Sequence, residues 1–173
     1  HLSIRRQRQM CIRDSYNADH LRPGDKAAVG HAKYDFKDLR TVAPLTWSNN
    51  AGAGGIYSSA HDMARWMQVQ LAEGALADGS PLFTAKSQQQ MWRMITPQSI
   101  PAPSVPELAP ARPNFAGYGE GWSLSDYRGQ KLVWHTGGWP GMVSRLTLVP
   151  GEKLGVVVPV SYTHLTLPTN REV

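Results

Sequence analysis

The strongest pattern of apolar and polar positions lies between residues 59 and 74, and it predicts a helix. Apolar residues recur three or four positions apart there, at Ala60, Met63, Ala64, Met67 and Leu71. Ser59 stands at the expected N-cap, and Asp62 places a negative charge in the first turn, where the helix dipole favours it. Gly74 is the expected C-cap. We therefore expect the apolar face to pack in a core.

A second, shorter helix is predicted from Thr84 to Met94, with Met91, Trp92 and Ile95 on its buried side. The next stretch contains prolines at positions 97, 101, 103, 106, 110 and 113. Because proline lacks a backbone N–H and fixes φ, this stretch is expected to be neither a helix nor a central strand. A loop at the rim of the domain is favoured over a polyproline ligand.

Beyond Ala116 the pattern becomes that of an antiparallel sheet. The predicted strands are Tyr118–Leu124, Lys131–Thr136, Val143–Val149 and Leu154–Val158, with turns at Asp126–Gly129 and Pro150–Lys153. The third strand alternates, with Leu146 and Leu148 on one face and Arg145 on the other. The last strand is almost continuously apolar, which predicts a central strand covered on both faces. Helices followed by such strands predict an α+β fold, with an antiparallel sheet packed with helices.

Composition narrows the class of protein. Hydrophobic residues make up 41% of the 173 residues and charged residues 18%, which indicates a packed domain rather than disorder. Four of the arginines lie within residues 1–15, where the net charge is +3, so only +2 of the formal charge of +5 belongs to the rest of the chain. A charge this small does not indicate a nucleic-acid partner. No apolar run approaches the roughly 18 residues of a transmembrane segment.

No metal or cofactor site is predicted. The six histidines form no pair at ligand spacing, and Cys11 is the only cysteine. Asn49–Tyr57 is rich in glycine, but no Lys-Ser or Lys-Thr pair follows it, so it does not match a phosphate-binding loop. Its glycines are expected to allow close approach of other chain segments.

The two ends of the chain differ from the rest. Residues 1–15 (HLSIRRQRQMCIRDS) have neither a helical nor a strand period, and residues 161–173 (SYTHLTLPTNREV) follow an apolar strand with an abrupt polar tail. Both strings resemble translated sequencing-adapter read-through at the ends of metagenomic open reading frames. We expect both ends to be artefacts and the natural sequence to span residues 16–160. The alternative is a basic N-terminal arm and a frayed C-terminal tail.

Three blocks in the middle of the chain carry a family resemblance. They are AGGIYSSAHDMARW at residues 53–66, GYGEGW at residues 117–122, and HTGGWPG at residues 135–141, the last followed by PGEKLGV at residues 150–156. In this order they resemble the β-lactamase-related serine hydrolases, which include class C β-lactamases, penicillin-binding proteins and esterases. The resemblance spans roughly Asn49–Pro159 and implies the C-terminal part of a β-lactamase/transpeptidase-like fold.

The resemblance also assigns roles to four residues. It places His135-Thr136-Gly137 on the Lys-Thr-Gly strand of the family, with histidine where many members have lysine. These three residues are then expected to bind substrate, with His135 supplying a donor or a titratable charge. The backbone N–H of Gly138 is the candidate oxyanion donor. Without the other blocks, His135 would be interpreted simply as a residue at a strand end.

The sequence departs from the family in one serious respect. Neither Ser-x-x-Lys nor Tyr-x-Asn occurs anywhere in the chain. A serine without its activating base is a weak nucleophile at neutral pH. We therefore expect no catalytic nucleophile in this chain and no acyl-enzyme formed by it alone.

Two functions remain open at this point. The first is a serine hydrolase fragment acting by acyl transfer on an ester, amide or lactam, with a small-molecule or peptide substrate. Histidine in place of lysine favours esters and peptides over carboxylate-bearing penicillins, because lysine is a permanent cation and histidine is not. The second is a non-catalytic family member that binds peptides or cell-wall fragments. The resemblance implies a periplasmic or secreted location.

Overall fold

The computed structural model describes residues 27–33, 38–45 and 51–161 of the chain. Residues 1–15, nearly all of the predicted tail, and Cys11 lie outside these ranges. The described residues divide into two compact units. Unit 1 comprises Ala60–His135 and Leu146–Val157, and unit 2 comprises the described residues before Ala60 together with Thr136–Arg145 and residues 158–161.

Helices form a minor part of the described chain. The α-helices are α1 (Ala51–Gly54), α2 (Ala60–Leu71) and α3 (Ala85–Met91), and two 3-10 helices span Pro106–Ala111 and Pro150–Glu152. Among the described residues, no helix has the length and apolar character needed to cross a membrane.

Strands make up two sheets. They are β1 (Gly30–Lys33), β2 (Leu39–Val42), β3 (Thr96–Pro97), β4 (Ala116–Tyr118), β5 (Ser123–Tyr127), β6 (Gln130–Trp139), β7 (Met142–Val149) and β8 (Leu154–Val160). Strands β1 and β2 form an antiparallel pair, while β3 to β8 form a six-stranded sheet in chain order. This meander, combined with helices, confirms the predicted α+β class.

The core of unit 1 lies between the sheet and the helices. Its buried members are Met67, Trp122, Leu124, Val133, Leu146 and Leu148. Helix α2 packs closely on β8, because a Cβ placed on Gly155 would lie 2.9 Å from the sulfur of Met67. Trp92 meets Trp122 edge to face, with ring centroids 6.3 Å apart. Removing the apolar area of these side chains from water is the main stabilising term of unit 1.

Helix α2 confirms the strongest sequence prediction. Asp62 lies in its first turn, where it is buried and 3.6 Å from the guanidinium of Arg65. Gly74 has a φ of +95°, and its N–H donates to the carbonyl of Val69 at 2.8 Å. The left-handed residue of this cap is Glu73, with a φ of +55°, and its N–H donates to the carbonyl of Gln70 at 3.3 Å. Gly74 therefore belongs to the C-terminal cap, one residue beyond the left-handed position.

Helix α3 begins where predicted but ends early. Thr84 is its N-cap and accepts a hydrogen bond from the N–H of Ser87 at 3.1 Å. The helix stops at Met91, because the chain turns at Trp92 toward strand β3. Met91 and Trp92 pack against the core as predicted, but the prediction for Ile95 was wrong, since that side chain is 52% exposed.

The predicted strand Tyr118–Leu124 was also wrong, because two strands and a turn occupy this region. The N–H of Gly119 donates to the carbonyl of Trp122 at 2.8 Å, and Gly121 has a φ of +79°. These glycines allow the chain to reverse, so β4 ends and β5 begins within the predicted strand. Strand β5 then runs through Asp126, where a turn was predicted, to Tyr127, which pairs with Gln130.

Strand β8 does not have the central position predicted for it. It stands last in the order of the six-stranded sheet among the described residues. Leu154, Val156 and Val158 are 51%, 50% and 43% exposed, whereas Val157 packs against the core. The continuous apolar run therefore provides two apolar faces, only one of which is covered by the described chain.

The hairpin of β1 and β2 is fixed to the turn between β6 and β7 within unit 2. The N–H of His31 donates to the carbonyl of Gly141 at 2.9 Å. Gly141 has a φ of +77°, and a Cβ there would lie 2.8 Å from the carbonyl carbon of Gly30. Only glycine permits both the turn and this backbone contact.

A buried carboxylate organises the end of the proline-rich loop. Asp126 on β5 accepts hydrogen bonds from the side-chain amide and the N–H of Asn114, each at 2.6 Å, and from the N–H of Phe115 at 3.2 Å. The side-chain hydrogen bond from Asn114, followed by the backbone bonds, lowers the pKa of Asp126 below its ordinary value of 3.8, against the opposing effect of burial. These bonds join the loop to the sheet.

We expect Asp126→Asn to lower the free energy of unfolding at pH 7. A lowered folded-state pKa gives stability that is present above the unfolded value and is lost as the pH falls through the folded value. The difference in the free energy of unfolding between wild type and variant should therefore shrink as the pH drops below about 3.8. Urea unfolding at pH 7 and pH 3 measures it, with the exposed Glu107→Gln as control. An equal difference at both pH values would contradict this account.

Candidate active site

The predicted substrate-binding segment lies on the part of β6 that runs past the end of its neighbour. The pairing of β5 with β6 ends where Ser123 stands opposite Trp134. Residues 135–139 continue the strand beyond that point, and His135, Thr136, Gly137 and Gly138 are all exposed. On the β5 side of β6, no strand among the described residues pairs with this segment beyond the end of β5, so its backbone can pair there with another extended chain.

His135 is held by a tyrosine from unit 1. The hydroxyl of Tyr118 lies 3.1 Å from Nε2 of His135, and the two ring centroids are 6.1 Å apart. Tyr118 stands opposite Ser123, the first residue of β5, which in turn stands opposite Trp134. The tyrosine side chain therefore reaches His135 across the start of β5.

This contact sets the hydrogen-bonding options of the imidazole. A neutral ring that accepts the Tyr118 hydroxyl at Nε2 carries its proton on Nδ1, whereas a protonated ring donates from Nε2 to the phenol oxygen. In both states one ring nitrogen is occupied by Tyr118. The other nitrogen is then the one available to a substrate.

The two glycines that follow differ in their surroundings within unit 2. A Cβ on Gly137 would lie 2.6 Å from Oγ of Ser144, so packing against β7 requires glycine there. Among the described residues, a Cβ on Gly138 would meet nothing within 4 Å, and Gly138 does not have a positive φ. Within the described part of the chain, neither packing nor backbone conformation therefore requires glycine at position 138. A glycine there leaves the backbone open to close approach.

The glycine-rich segment packs against the same strand. A Cβ on Gly54 would lie 3.2 Å from the ring of Trp139. This confirms the prediction that glycines in Asn49–Tyr57 allow close approach of another segment. Asn49 and Asn50 themselves lie outside the described residues.

No metal site accompanies this segment in the described part of the chain. No three His, Cys, Asp or Glu side chains are grouped there to hold an ion. The nearest perturbed cation along β6 is Lys131, whose pKa is lowered by burial. Its Nζ donates to the carbonyl of Trp92 at 3.2 Å and lies over the indole ring of Trp92, 5.8 Å from the ring centroid. Lys131 therefore stabilises the loop after α3 rather than the exposed segment.

One feature escaped the reasoning from sequence. Tyr118 was part of a matching block, but only the fold brings it to His135.

We expect Tyr118→Phe to change the protonation pattern of His135. Without the hydroxyl, Nε2 loses its hydrogen-bond partner, and the neutral ring shifts toward the Nε2–H tautomer. Long-range proton–nitrogen spectra of the His135 ring measure this, with Tyr127→Phe, an exposed tyrosine on β5, as the matched control. Unchanged His135 nitrogen shifts in Tyr118→Phe would show that the hydroxyl does not hold the ring.

Two curated fungal hydrolases are similar to about two thirds of this chain. The unguisins hydrolase ungD of Aspergillus violaceofuscus is 29% identical over 120 residues, which cover 66% of this chain and 20% of that protein. The related unguisins hydrolase ungD' of Aspergillus campestris is 27% identical over 118 residues, covering 66% and 19%. The chain thus spans about a fifth of the curated relatives it matches.

A solved structure and a family profile also match most of this chain. The octameric penicillin-binding protein homologue from Pyrococcus abyssi matches with a TM-score of 0.68 and 19% identity, over 87% of this chain and 30% of that one. This likeness supports the fold. The profile of the β-lactamase family matches residues 13–170. The chain therefore belongs to the β-lactamase family.

Proposed function

We propose that this chain is the substrate-binding part of a serine hydrolase that acts by acyl transfer on an ester, amide or lactam. The observation that carries the proposal is the exposed segment His135–Gly138, which runs past the end of β5. An extended substrate that pairs with this segment gains main-chain hydrogen bonds and a fixed orientation. Family membership and the names of the curated relatives, which are hydrolases, support the reaction class.

Gly138 is the proposed oxyanion donor. Its N–H belongs to the exposed part of β6, and no described residue fills the space where a side chain would stand. A carbonyl oxygen that develops negative charge needs donors already in place at about 2.7–3.1 Å. A rigid strand meets this need better than a mobile loop, because the donor does not reorganise during the reaction.

His135, Thr136 and Gly137 form the proposed binding surface. The hydroxyl of Thr136 offers a donor and an acceptor to polar groups of the substrate. His135, held by Tyr118, presents one ring nitrogen. A neutral imidazole does not provide the permanent cation that a substrate carboxylate needs, so esters and peptide amides fit this surface better than penicillins.

The nucleophile is proposed to lie outside this chain. No serine in the sequence is followed by lysine at the third position, and a serine without a base is a poor nucleophile. The chain covers about a fifth of its curated relatives, so most of such a protein is not represented in it. On its own, the chain is expected to bind but not to form an acyl-enzyme.

We expect the chain alone to remain unlabelled by a fluorophosphonate probe and by a fluorescent penicillin. Both reagents need an activated serine, which this chain lacks. Intact mass spectrometry after incubation measures the extent of labelling, and the full-length protein with its upstream region is the positive control. Stoichiometric labelling of the chain alone would contradict the proposed absence of a nucleophile. An unreactive full-length protein would favour the non-catalytic binder instead.

A further inference from the structure

Unit 2 contains a small cavity directly after the proposed substrate-binding segment. Its volume is about 140 Å³. It is lined by residues 27–30, by Val42 and Pro44 at and after the end of β2, by Tyr57, and by Trp139, Pro140 and Met142. Apart from Tyr57 and Trp139, whose rings carry one polar atom each, the lining side chains are apolar or absent. We call it the Trp139 cavity.

The walls of the Trp139 cavity are built from close backbone contacts. The N–H of His31 is bonded to the carbonyl of Gly141, which joins the β1 wall to the β6–β7 turn. A Cβ on Gly30 would lie 3.2 Å from the carbonyl oxygen of Pro140, so that contact tolerates little change. On the other side, the ring of Trp139 packs against Gly54. Walls fixed in this way resist collapse into the empty space.

One polar group of the Trp139 cavity lacks a partner. The hydroxyl of Tyr57 is buried, and it makes no hydrogen bond to any part of the chain that the structure describes. Buried hydroxyls nearly always have a hydrogen-bond partner, because a hydroxyl buried without one loses its hydrogen bonds to water and gains none in return. A polar atom entering the cavity would complete this hydrogen bond.

The Trp139 cavity is also placed where a substrate would extend. Trp139 follows Gly138 directly on β6, so its Cα lies about 3.8 Å from that of the proposed oxyanion donor. All the residues that line the cavity belong to unit 2, as do Thr136, Gly137 and Gly138. A molecule paired with residues 136–138 therefore has its next group at the cavity.

We propose that the Trp139 cavity binds an apolar side group of the substrate that carries one hydrogen-bonding atom for Tyr57. This inference rests on the proposed function and narrows its substrate class. A cavity of about 150 Å³ is known to hold a single benzene ring. The group is thus a branched aliphatic chain or one small ring bearing a carbonyl, and larger or charged groups are excluded by size and by the apolar walls.

The binding test uses the full 173-residue chain with cyclopentanone and cyclopentane as matched probes. The methyl group of Met142 lines the cavity and serves as a carbon-13 reporter, while the methyl of Met94, which packs beside Gly117 in unit 1, is the internal control. We expect saturable shifts at Met142 alone with both probes. Tyr57→Phe should weaken cyclopentanone binding by about fivefold and leave cyclopentane binding unchanged.

The outcomes separate the parts of the proposal. Ala28→Leu, at an exposed lining position, should reduce the binding of both probes. No saturable shift at Met142 with either probe would overturn the proposal, since the cavity would then hold water only. Equal cyclopentanone affinity in wild type and Tyr57→Phe would overturn the role of the hydroxyl.

A second measurement links the cavity to the reaction. In the full-length protein, cyclopentanone should inhibit hydrolysis competitively, and Ala28→Leu should relieve that inhibition. Binding at Met142 without inhibition would show that the cavity is no substrate pocket and would leave the proposed hydrolase function intact. Binding at Met142 in a full-length protein that hydrolyses no substrate would count against the proposed function and not against the cavity.

Discussion

The register between β5 and β6 is the constraint on which the rest of the structure depends. Leu124 and Val133 stand opposite each other in this pair, and both are buried in the core. Because strand side chains alternate, a slip of one residue would turn Val133 outward and leave a cavity. The buried pair therefore fixes the ladder, and the ladder ends at Ser123 and Trp134.

That end point creates the candidate site. The turn made by Gly119 and Gly121 means that β5 begins only at Ser123, whereas β6 continues through residues 135–139. The segment is exposed because the short strand β5 pairs with only part of the longer strand β6. The same turn places Tyr118 within reach of His135. The contact between Tyr118 and His135 and the exposed candidate site consequently have one structural origin.

The sequence was sufficient to predict the elements with a strong repeat. Helix α2 was predicted with its cap at Gly74, and the order of strands gave the α+β class. Prediction failed where glycines override the apolar pattern, as at Gly119 and Gly121, and where a side chain's exposure depends on distant packing, as at Ile95. Burial of both faces of β8 was inferred from its apolar composition. Composition alone does not reveal whether other parts of the chain pack on one face of a strand or on both.

The candidate site shows the same division. The sequence proposes its four contiguous residues, His135 to Gly138, because they form one motif, and the structure places all four on β6. Tyr118 was not predictable, because the contact joins residues 17 positions apart through the register of three strands. Likewise, the reason for glycine at 137 differs from that at 138, and only the neighbouring Ser144 reveals the difference.

The central claim is that Gly138 is glycine because substrate approaches it, and the kinetics of Gly138→Val in the full-length protein test this most directly. Valine suits a strand, and no described residue occupies the space at this position, so the unfolding midpoint should not fall. The variant keeps the backbone N–H, but the valine side chain should prevent a substrate carbonyl from reaching it, so we predict a loss of kcat/KM of about 100-fold or more, as for the loss of one oxyanion donor. A Gly138→Val enzyme with unchanged kcat/KM and unchanged stability would contradict the account.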